Sequence, residues 1–328
     1  MYEIMCNEHL GHKKNRKHVS EDAFRSQIEP LLLEHKRLTF VFPAFPFKDQ
    51  NPFRTECPPD QPDLAELALL VRLHTLSLAL YQVHPHGADW VLVCDGNAYA
   101  DIFGVSNRSA EQYRQAIVSW RNRLNLQGTV SIIDLTDLAA RINGGPLGEE
   151  PFGPFEQVQA AIMRAIIEVS SGGDESIVQA LGVLRRGMTW NLNLRDYLNR
   201  LTPEELWQVA KSIPRDGEPA HVKRVRQEVQ ERSHNAAVRY AAFNLTLRHF
   251  DAFNSFLPYT VRATIHPKEG QLAVPSLGNV FPWNGVAVYR SDNNEKSVEV
   301  FSLSDLRGPH HRLTLPGQAG YFYYRPAI

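Results

Sequence analysis

Hydrophobic residues along the chain form short continuous runs that are separated by longer stretches with a helical period. The runs at 37–42, 88–96 and 129–135 predict buried strands. An apolar-striped stretch at 62–83 and an amphipathic stretch at 109–124 predict the helices between them. Strands that alternate with helices are typical of a parallel sheet whose crossover connections are right-handed.

Polar residues mark the places where predicted helices begin. Ser20 can accept a hydrogen bond from the first turn of a helix that runs to about residue 36. Ser109 is the expected N-cap of the amphipathic helix. Thr202 begins the sequence TPEE, a capping box in which Glu205 reaches back to the N-cap residue.

The pattern changes at 143–155, where NGGPLGEEPFGPF is rich in glycine and proline. Beyond it the chain is mostly helical to about residue 256, and short strand-like runs follow. We therefore expect an α/β fold, with a Rossmann-like, mostly parallel sheet, a helical insertion and a β-rich C-terminal part. The expected units are 1–145, the first part of the α/β core; 146–256, a helical subdomain; and 257–328, a β-rich part that completes the core.

Composition narrows the class of protein. The 328 residues include 35 basic and 36 acidic side chains, and this balance argues against a nucleic-acid binder. Cys6, Cys57 and Cys94 form neither a metal-binding spacing nor a disulfide framework, which suits the reducing cytoplasm. No apolar run has the ~18–20 residues of a membrane span, and the N-terminus lacks the apolar core of a secretory signal. We expect a cytoplasmic protein with no membrane partner.

Common cofactor motifs are absent from the sequence. It contains no G-x-x-x-x-G-K-[ST], no G-x-G-x-x-G after the first two predicted strands, no G-x-S-x-G and no zinc-type cluster. One metal-like pattern combines His249 and Asp251 with His310, as in non-haem iron oxygenases. Because 249 and 251 lie in a stretch with helical spacing, their side chains are expected on different helix faces. We therefore expect chemistry without a metal or a cofactor.

The stretch FVFPAFPFKDQNPFRTECPPD at 40–60 begins in the first predicted strand and then cannot continue as a regular element. Its prolines exclude helix and central-strand continuation, and its phenylalanines are too apolar for a free linker. We therefore expect an ordered loop that carries two cations, Lys48 and Arg54. Such loops, at the ends of strands, are where α/β proteins bind ligands.

Two carboxylates follow the second predicted strand in the sequence CDGNAYADIFGV at 94–105. Asp95 and Gly96 are expected to form a D-G turn, and Asp101 follows soon after. The carboxyl end of a parallel strand is the usual ligand-binding position in an α/β sheet. The alternative is structural: Asp95 would make an Asx-turn and Asp101 would cap a short helix.

Cations follow another predicted strand in VRATIHPKEG at 261–270. The strand period of two places Arg262 and His266 on one face, and Lys268 comes shortly after. A histidine beside two cations favours a phosphate or carboxylate pocket over a purely structural histidine. Trp283, in FPWNGVAVYR, is either a wall for an aromatic substrate or a core residue.

The segments FPAFPFKDQNP, PDLAELALL, CDGNAYADIFGV, RATIHP and FPWNGVAVYR, in this order, resemble the isonitrile (isocyanide) synthase family. The likeness is greatest to the tyrosine enzymes of paerucumarin and pseudoverdine biosynthesis. Relatives often have Pro-Trp-His where this chain has Pro-Trp-Asn at 282–284. The resemblance implies an enzyme that converts the α-amine of an aromatic amino acid, tyrosine above all, to an isonitrile. Ribulose 5-phosphate would supply the carbon, without a redox cofactor.

The resemblance also implies roles for the candidate residues. Lys48, with Arg54, would hold the sugar phosphate, or Lys48 would form a Schiff base with the sugar ketone. Asp95 and Asp101 would orient the substrate ammonium or transfer protons. The sequence does not decide between these alternative roles of Lys48, Asp95 and Asp101.

The remaining candidates follow the same scheme. His266 would act as an acid or a base, Arg262 and Lys268 would bind phosphate or carboxylate, and Trp283 would contact an aromatic substrate. Three other functions are compatible with the residues alone: a non-haem iron/2-oxoglutarate oxygenase, a sugar-phosphate aldolase or isomerase, and a non-catalytic ligand-binding protein.

Overall fold

The structure is a computed structural model. It describes residues 1–7, 15–144, 153–214, 216–265, 267–275, 277–278, 280–292, 295–314 and 322–326.

A parallel sheet forms the centre of the fold. Within the described residues it has five strands: β1 (Leu38–Ala44), β2 (Ala88–Cys94), β3 (Val130–Asp134), β4 (Thr260–Thr264) and β5 (Leu272–Ala273). The strand order is β3-β2-β1-β4-β5. The chain first adds strands on one side of β1 and later on the other, so the order reverses between β1 and β4. Open α/β sheets bind ligands at the carboxyl ends of the strands beside such a reversal.

Helices cover both faces of this sheet. The described helices are α1 (Tyr2–Met5), α2 (Asn15–His18), α3 (Glu21–Leu33), α4 (Leu64–Tyr81), α5 (Gly96–Phe103), α6 (Asn107–Arg123), α7 (Leu135–Asn143), α8 (Pro154–Ser171), α9 (Glu175–Asn191), α10 (Pro203–Ala210), α11 (Ala220–His249) and α12 (Ala252–Phe256). Short 3-10 turns lie at Leu194–Tyr197, Pro282–Asn284 and Leu303–Asp305.

Alternate strand residues belong to two separate hydrophobic cores. Phe40 and Trp90 pack with residues of α3, α4 and α6 on one face of the sheet. Val41 and Val91 pack with residues of α7 and α11 on the other face. Because both faces are buried, each strand appears in the sequence as a continuous apolar run. The predicted mixed α/β, Rossmann-like fold is confirmed.

The described elements of the segment between β3 and β4 are helices, from α7 to α12, joined by turns and loops. Its longest helix, α11, contacts α8, α9 and α10 within this segment. It also contacts α5, which directly follows β2. The insertion therefore reaches back to the carboxyl edge of the sheet. The predicted boundary at 145 lies outside the described residues.

The C-terminal strands divide between two sheets. The strands β4 and β5 complete the parallel sheet, whereas a second sheet contains β6 (Val286–Asp292), β7 (Glu295–Phe301), β8 (His310–Thr314) and β9 (Phe322–Pro326). Its order is β7-β6-β9-β8, with a parallel β6–β9 pair and antiparallel neighbours. Within the described residues, the predicted β-rich part thus completes the core only through its first two strands.

Helix caps follow the sequence predictions at two positions and differ at a third. Ser20 accepts a hydrogen bond from Ala23 N, and Thr202 forms the predicted capping box. The prediction for Ser109 is wrong. The helix begins at Asn107, and Ser106 is its N-cap because the Ser106 Oγ accepts the hydrogen bond from Ser109 N at 3.0 Å.

Among the described helices, α4 is the one whose length and hydropathy match a membrane span. Its Leu69, Leu70 and Leu73 are fully buried, and it contacts β2 on one side and β6 and β7 on the other. It also carries the buried carboxyl of Glu66. Its apolar composition is therefore that of a helix packed between two sheets.

Candidate active site

Asp95 lies at the carboxyl end of β2, next to the central strand. The predicted D-G turn is wrong: α5 begins at Gly96, and Asp95 occupies the N-cap position of this helix. Its side chain makes no capping hydrogen bond. A carboxylate at an N-cap normally accepts a bond from the first helical turn, and Asp95 departs from this pattern.

Gly96 brings the end of β1 against the start of α5. A Cβ atom at this position would lie 1.9 Å from Pro46 O, a distance that no real side chain tolerates. Glycine is therefore required by the close approach of two backbones. This contact joins the loop after β1 to the Asp95 region. The loop itself begins with Phe45 at φ 56, a left-handed conformation that is rare for an aromatic residue.

Replacement of Gly96 by Ala is expected to separate these two backbones. We expect a loss of several kcal/mol in the free energy of unfolding or failure to fold, since overpacking costs about 1–3 kcal/mol even where side chains can shift. Chemical denaturation measures this. Gly128→Ala is the matched control, because a Cβ there meets nothing within 4 Å. Equal stability of the two variants would contradict the described contact.

The Asp95 carboxyl is tuned to titrate near neutral pH. Its Oδ1 atom is buried and, among the described residues, has no hydrogen-bond partner. Burial raises the pKa of Asp95 to about 7; a backbone hydrogen bond opposes this shift and the Asp134 carboxylate adds to it. A carboxyl with a pKa near the working pH can accept a proton in one step and return it in the next.

Aromatic and amide side chains surround this carboxyl on the side of α11. The ring of Tyr99, on α5, lies 4.8 Å from that of Tyr240, on α11. Asn244 Nδ2 donates a hydrogen bond of 2.9 Å to the Tyr99 hydroxyl. Burial, and secondly the Asp95 charge, raise the pKa of Tyr240 to about 12. Both the Tyr240 phenol and its neighbour therefore stay neutral and able to donate near Asp95.

A polar network closes the other side of the site at the end of β3. Asn97 Nδ2 donates to Asp134 Oδ2 at 2.7 Å and to Glu111 Oε2 at 3.2 Å. Arg114 hydrogen-bonds Glu111 and lowers the pKa of that carboxyl to about 2. These bonds fix the start of α5 against its neighbours, and with it the position of Asp95.

Lys48 lies in the interior of the protein. Its ammonium is fully buried and makes contacts of 2.9 Å with Glu66 Oε1, 3.0 Å with Asp63 Oδ2 and 2.9 Å with Pro282 O. These three acceptors match its three N–H bonds. The predicted loop is ordered, but its lysine joins α4 to the Pro282–Asn284 turn and faces no open cleft. A direct contact between Lys48 and substrate stays a prediction.

The network around Lys48 contains more carboxyl groups than cations. Burial opposes the Lys48 charge, but the carboxylates of Asp63 and Glu66 outweigh it and raise the pKa of the ammonium. Burial also raises the pKa of Glu66 to about 8, against the attraction of Lys48. Glu66 accepts hydrogen bonds from Tyr113 OH and Asp63 N. Near neutral pH the Lys48 ammonium therefore stays charged, whereas the Glu66 carboxyl keeps its proton.

The other predicted site residues have separate environments. Arg54 Nη1 bonds Asp49 Oδ2 at 2.8 Å, within its own loop. Asp101 is exposed on α5 and pairs with Arg239 at 2.6 Å. Neither side chain is joined to Asp95 by a hydrogen bond among the described residues. Their assignment to the site stays a prediction.

The cations predicted after β4 lie at the surface. Arg262 Nη2 donates to Asn254 Oδ1 at 2.8 Å, and Lys268 is exposed in the following loop. His266 lies outside the described residues. Trp283 is 4% exposed, stacks on Phe281 and makes an edge contact with Phe45, so its ring belongs to the core.

The iron-type pattern does not form a cluster in the described part of the chain. His249 is the last residue of α11, whereas Asp251 has a left-handed backbone and precedes α12. The prediction that both lie on one helix is therefore wrong for Asp251, whose carboxylate instead bonds Asn254. Within the described residues, no three or more His, Cys, Asp or Glu side chains are grouped so as to hold a metal.

The parallel sheet has helices on both faces, and at the C-terminal ends of its strands lies Asp95, a carboxyl with a pKa of about 7. This is the arrangement of an α/β enzyme. The model of the pyoverdine/dityrosine biosynthesis protein family matches residues 28–305, and the chain belongs to this family.

Named relatives agree with this assignment. The L-tyrosine isonitrile synthase of Pseudomonas aeruginosa is 25% identical over 299 residues, which are 86% of this chain and 80% of the relative. The L-tryptophan isonitrile synthase AmbI1 of Fischerella ambigua is 27% identical over 99 residues, only 30% of each chain. The crystal structure of the PvcA protein from Pseudomonas aeruginosa has a TM-score of 0.59 at 18% identity, covering 93% of both chains, and supports the fold. Both named enzymes are isonitrile synthases, which supports an enzyme of this type.

Proposed function

We propose that the protein is an isonitrile synthase that acts on the α-amine of an aromatic amino acid, L-tyrosine above all, with ribulose 5-phosphate as carbon donor. The observation that carries the proposal is Asp95, a carboxyl with a pKa of about 7 at the ligand-binding edge of the sheet. The names of the tyrosine and tryptophan relatives support the substrate class. The free, buried thiols support a reducing compartment such as the cytoplasm.

In the first step, the ionised Asp95 removes a proton from the substrate ammonium, because only the neutral amine has a lone pair for attack. The amine nitrogen then forms a bond to C2 of the sugar ketone, and proton transfer gives the carbinolamine. The protonated Asp95 returns its proton to the departing hydroxyl group, so that water leaves and the C=N bond forms. One carboxyl thus acts as base and then as acid, and its pKa near 7 suits both tasks.

Aromatic side chains beside Asp95 support an aromatic substrate. Tyr99 and Tyr240 pack ring against ring, and Phe243 lies 5.4 Å from Tyr99. Tyr99 and Phe243 are themselves buried in the core, so the half-buried Tyr240 is the ring that offers offset or edge contacts to an aromatic ligand. The substrate phosphate would be bound by the surface cations Arg262 and Lys268, with His266 as a second proton-transfer group.

The proposal is tested by incubating the protein with ribulose 5-phosphate and tyrosine, tryptophan or leucine. The expected product contains one carbon more and two hydrogens fewer than tyrosine itself, and it shows the isonitrile infrared stretch. Carbon-13 at C2 of the sugar should appear in the isonitrile carbon. Absence of label in the product would remove ribulose 5-phosphate as donor, and absence of any isonitrile with all three amino acids would remove the activity.

A further inference from the structure

The second sheet contains a cleft that the proposed reaction does not use. It has a volume of about 520 Å³ and lies among β6, β7, the Leu303–Asp305 turn and the beginning of β8. Sites for small molecules occupy roughly 300–1,000 Å³. The turn is tied to the loop after β1, because Leu303 N and Ser304 N donate to Arg54 O and Phe53 O. The cleft therefore has an anchored wall.

Two guanidinium groups line this cleft, and both have unused donors. Arg290 Nε is buried and lacks a hydrogen-bond partner in the described part of the chain. Its Nη2 forms an ion pair with Glu299 Oε2 at 3.8 Å, too long for a hydrogen bond, and its guanidinium carbon lies 5.7 Å from the centre of the Phe301 ring. Arg307 makes no side-chain hydrogen bond or ion pair with any described residue. Such donors can be satisfied by a bound acceptor, and guanidinium groups match the planar fork of a carboxylate.

The cleft also contains a carboxylate, an apolar wall and the imidazole of His310, whose Nδ1 lies 3.0 Å from Gly308 O. Asp305 is exposed at its edge and has no cationic partner among the described residues, while Phe301 and Leu306 supply apolar surface. A simple anion would pair with the guanidinium groups but leave Asp305 without a cation. A molecule with both a carboxylate and an ammonium uses both kinds of charge, and an apolar group on it covers the wall.

We infer that this cleft binds a small zwitterion with an apolar side group, the chemistry of an apolar α-amino acid. The ligand carboxylate contacts Arg290 and Arg307, and its ammonium contacts Asp305. Its side group packs on Phe301. The cleft residues belong to the second sheet and its adjoining turn, so the inference does not depend on the reaction at Asp95.

Calorimetric titration of the full-length protein with three related compounds tests this. L-phenylalanine has both charges, 3-phenylpropionate has only the carboxylate, and 2-phenylethylamine has only the ammonium. Arg307→Gln should weaken phenylalanine and phenylpropionate about tenfold or more, the size of a lost charge-assisted bond, and leave phenylethylamine unchanged. Asp305→Asn should weaken phenylalanine and phenylethylamine and leave phenylpropionate unchanged.

Arg312→Gln is the matched control, since Arg312 pairs with Glu56 at 2.8 Å and does not line the cleft; it should bind all three compounds as the unaltered protein does. Arg307 and Asp305 are exposed, so both variants should fold, and circular dichroism checks this. The inference is overturned if phenylalanine does not bind, or if both variants bind it with unchanged affinity. Loss of all three compounds in one variant would also overturn it, because that result indicates a structural role.

Discussion

Asp95→Asn should lower kcat by about 10²- to 10⁴-fold, the usual contribution of a general acid–base group. Asparagine has nearly the same shape but cannot take the substrate's proton. We expect no loss of stability, because asparagine avoids the cost of a buried carboxylate whose Oδ1 has no described partner. Isonitrile formation, followed by mass spectrometry, and a melting curve on the same sample measure both quantities. Near-normal turnover in this variant would remove Asp95 from the reaction.

Asp89→Asn provides the control for this result. Asp89 lies on the same strand but near its amino end, where it accepts a hydrogen bond from Thr39 Oγ1 at 2.7 Å. Its replacement should leave kcat unchanged.

The pH profile gives a second, independent test of the proton transfer. Since Asp95 must be ionised to accept the first proton, kcat/KM should fall as the pH drops below about 7. A profile without this acidic limb would contradict the proposed role.

Lys48→Met should destabilise the protein by about 3–5 kcal/mol, the range for breaking a buried ion pair by removal of one partner. Methionine has a similar length but leaves the Asp63 carboxylate, 0% exposed, without its cation. Urea denaturation measures the change. Lys36→Met is the control, because Lys36 is exposed and paired only at the surface, where such pairs contribute about 0–1 kcal/mol.

The double variant Lys48→Met/Asp63→Asn should recover part of this loss. Asparagine keeps an oxygen for the cap of α4, where Asp63 Oδ1 now accepts from Ala65 N, and removes the uncompensated charge. No recovery would show that the loss comes from packing.

The unaltered protein should also lose stability as the pH rises from about 4.5 through 8, because burial holds the proton on Glu66 in the folded state up to that pH.

Much of the fold follows from local sequence pattern. The strands β1, β2 and β3 lie within a few residues of their predicted bounds, because each is buried on both faces and therefore apolar throughout. The ordered conformation of the loop after β1 also follows from its composition, because its phenylalanine side chains have to be buried. The second sheet could not be foreseen, because short strands of similar pattern carry no information about which sheet they join.

The site was only partly predictable. Asp95 follows from its place after a buried strand, but its neighbour Tyr240, and Asn244, which bonds Tyr99, come from α11. In the sequence, a tyrosine on an amphipathic helix cannot be distinguished from an ordinary core residue. Asn244 and Tyr99, which form a hydrogen bond, are separated by 145 positions in the sequence. The burial of Lys48 had a signal: a single lysine among phenylalanines, followed by the Asp63 and Glu66 carboxyls at the start of α4.

The pairing of β1 with β4 sets the order in which the protein can be completed during its synthesis. The central strand lies beside β2 early, but its other edge waits for residues such as Arg262, the partner of Val41. At ribosomal speeds of about 5–20 residues per second, this edge stays open for roughly 10–45 s. Throughout that interval the nascent chain presents unpaired backbone groups beside two apolar surfaces, the features that promote aggregation. Fragments ending before β4 should therefore be recovered mainly as insoluble material or in complex with chaperones.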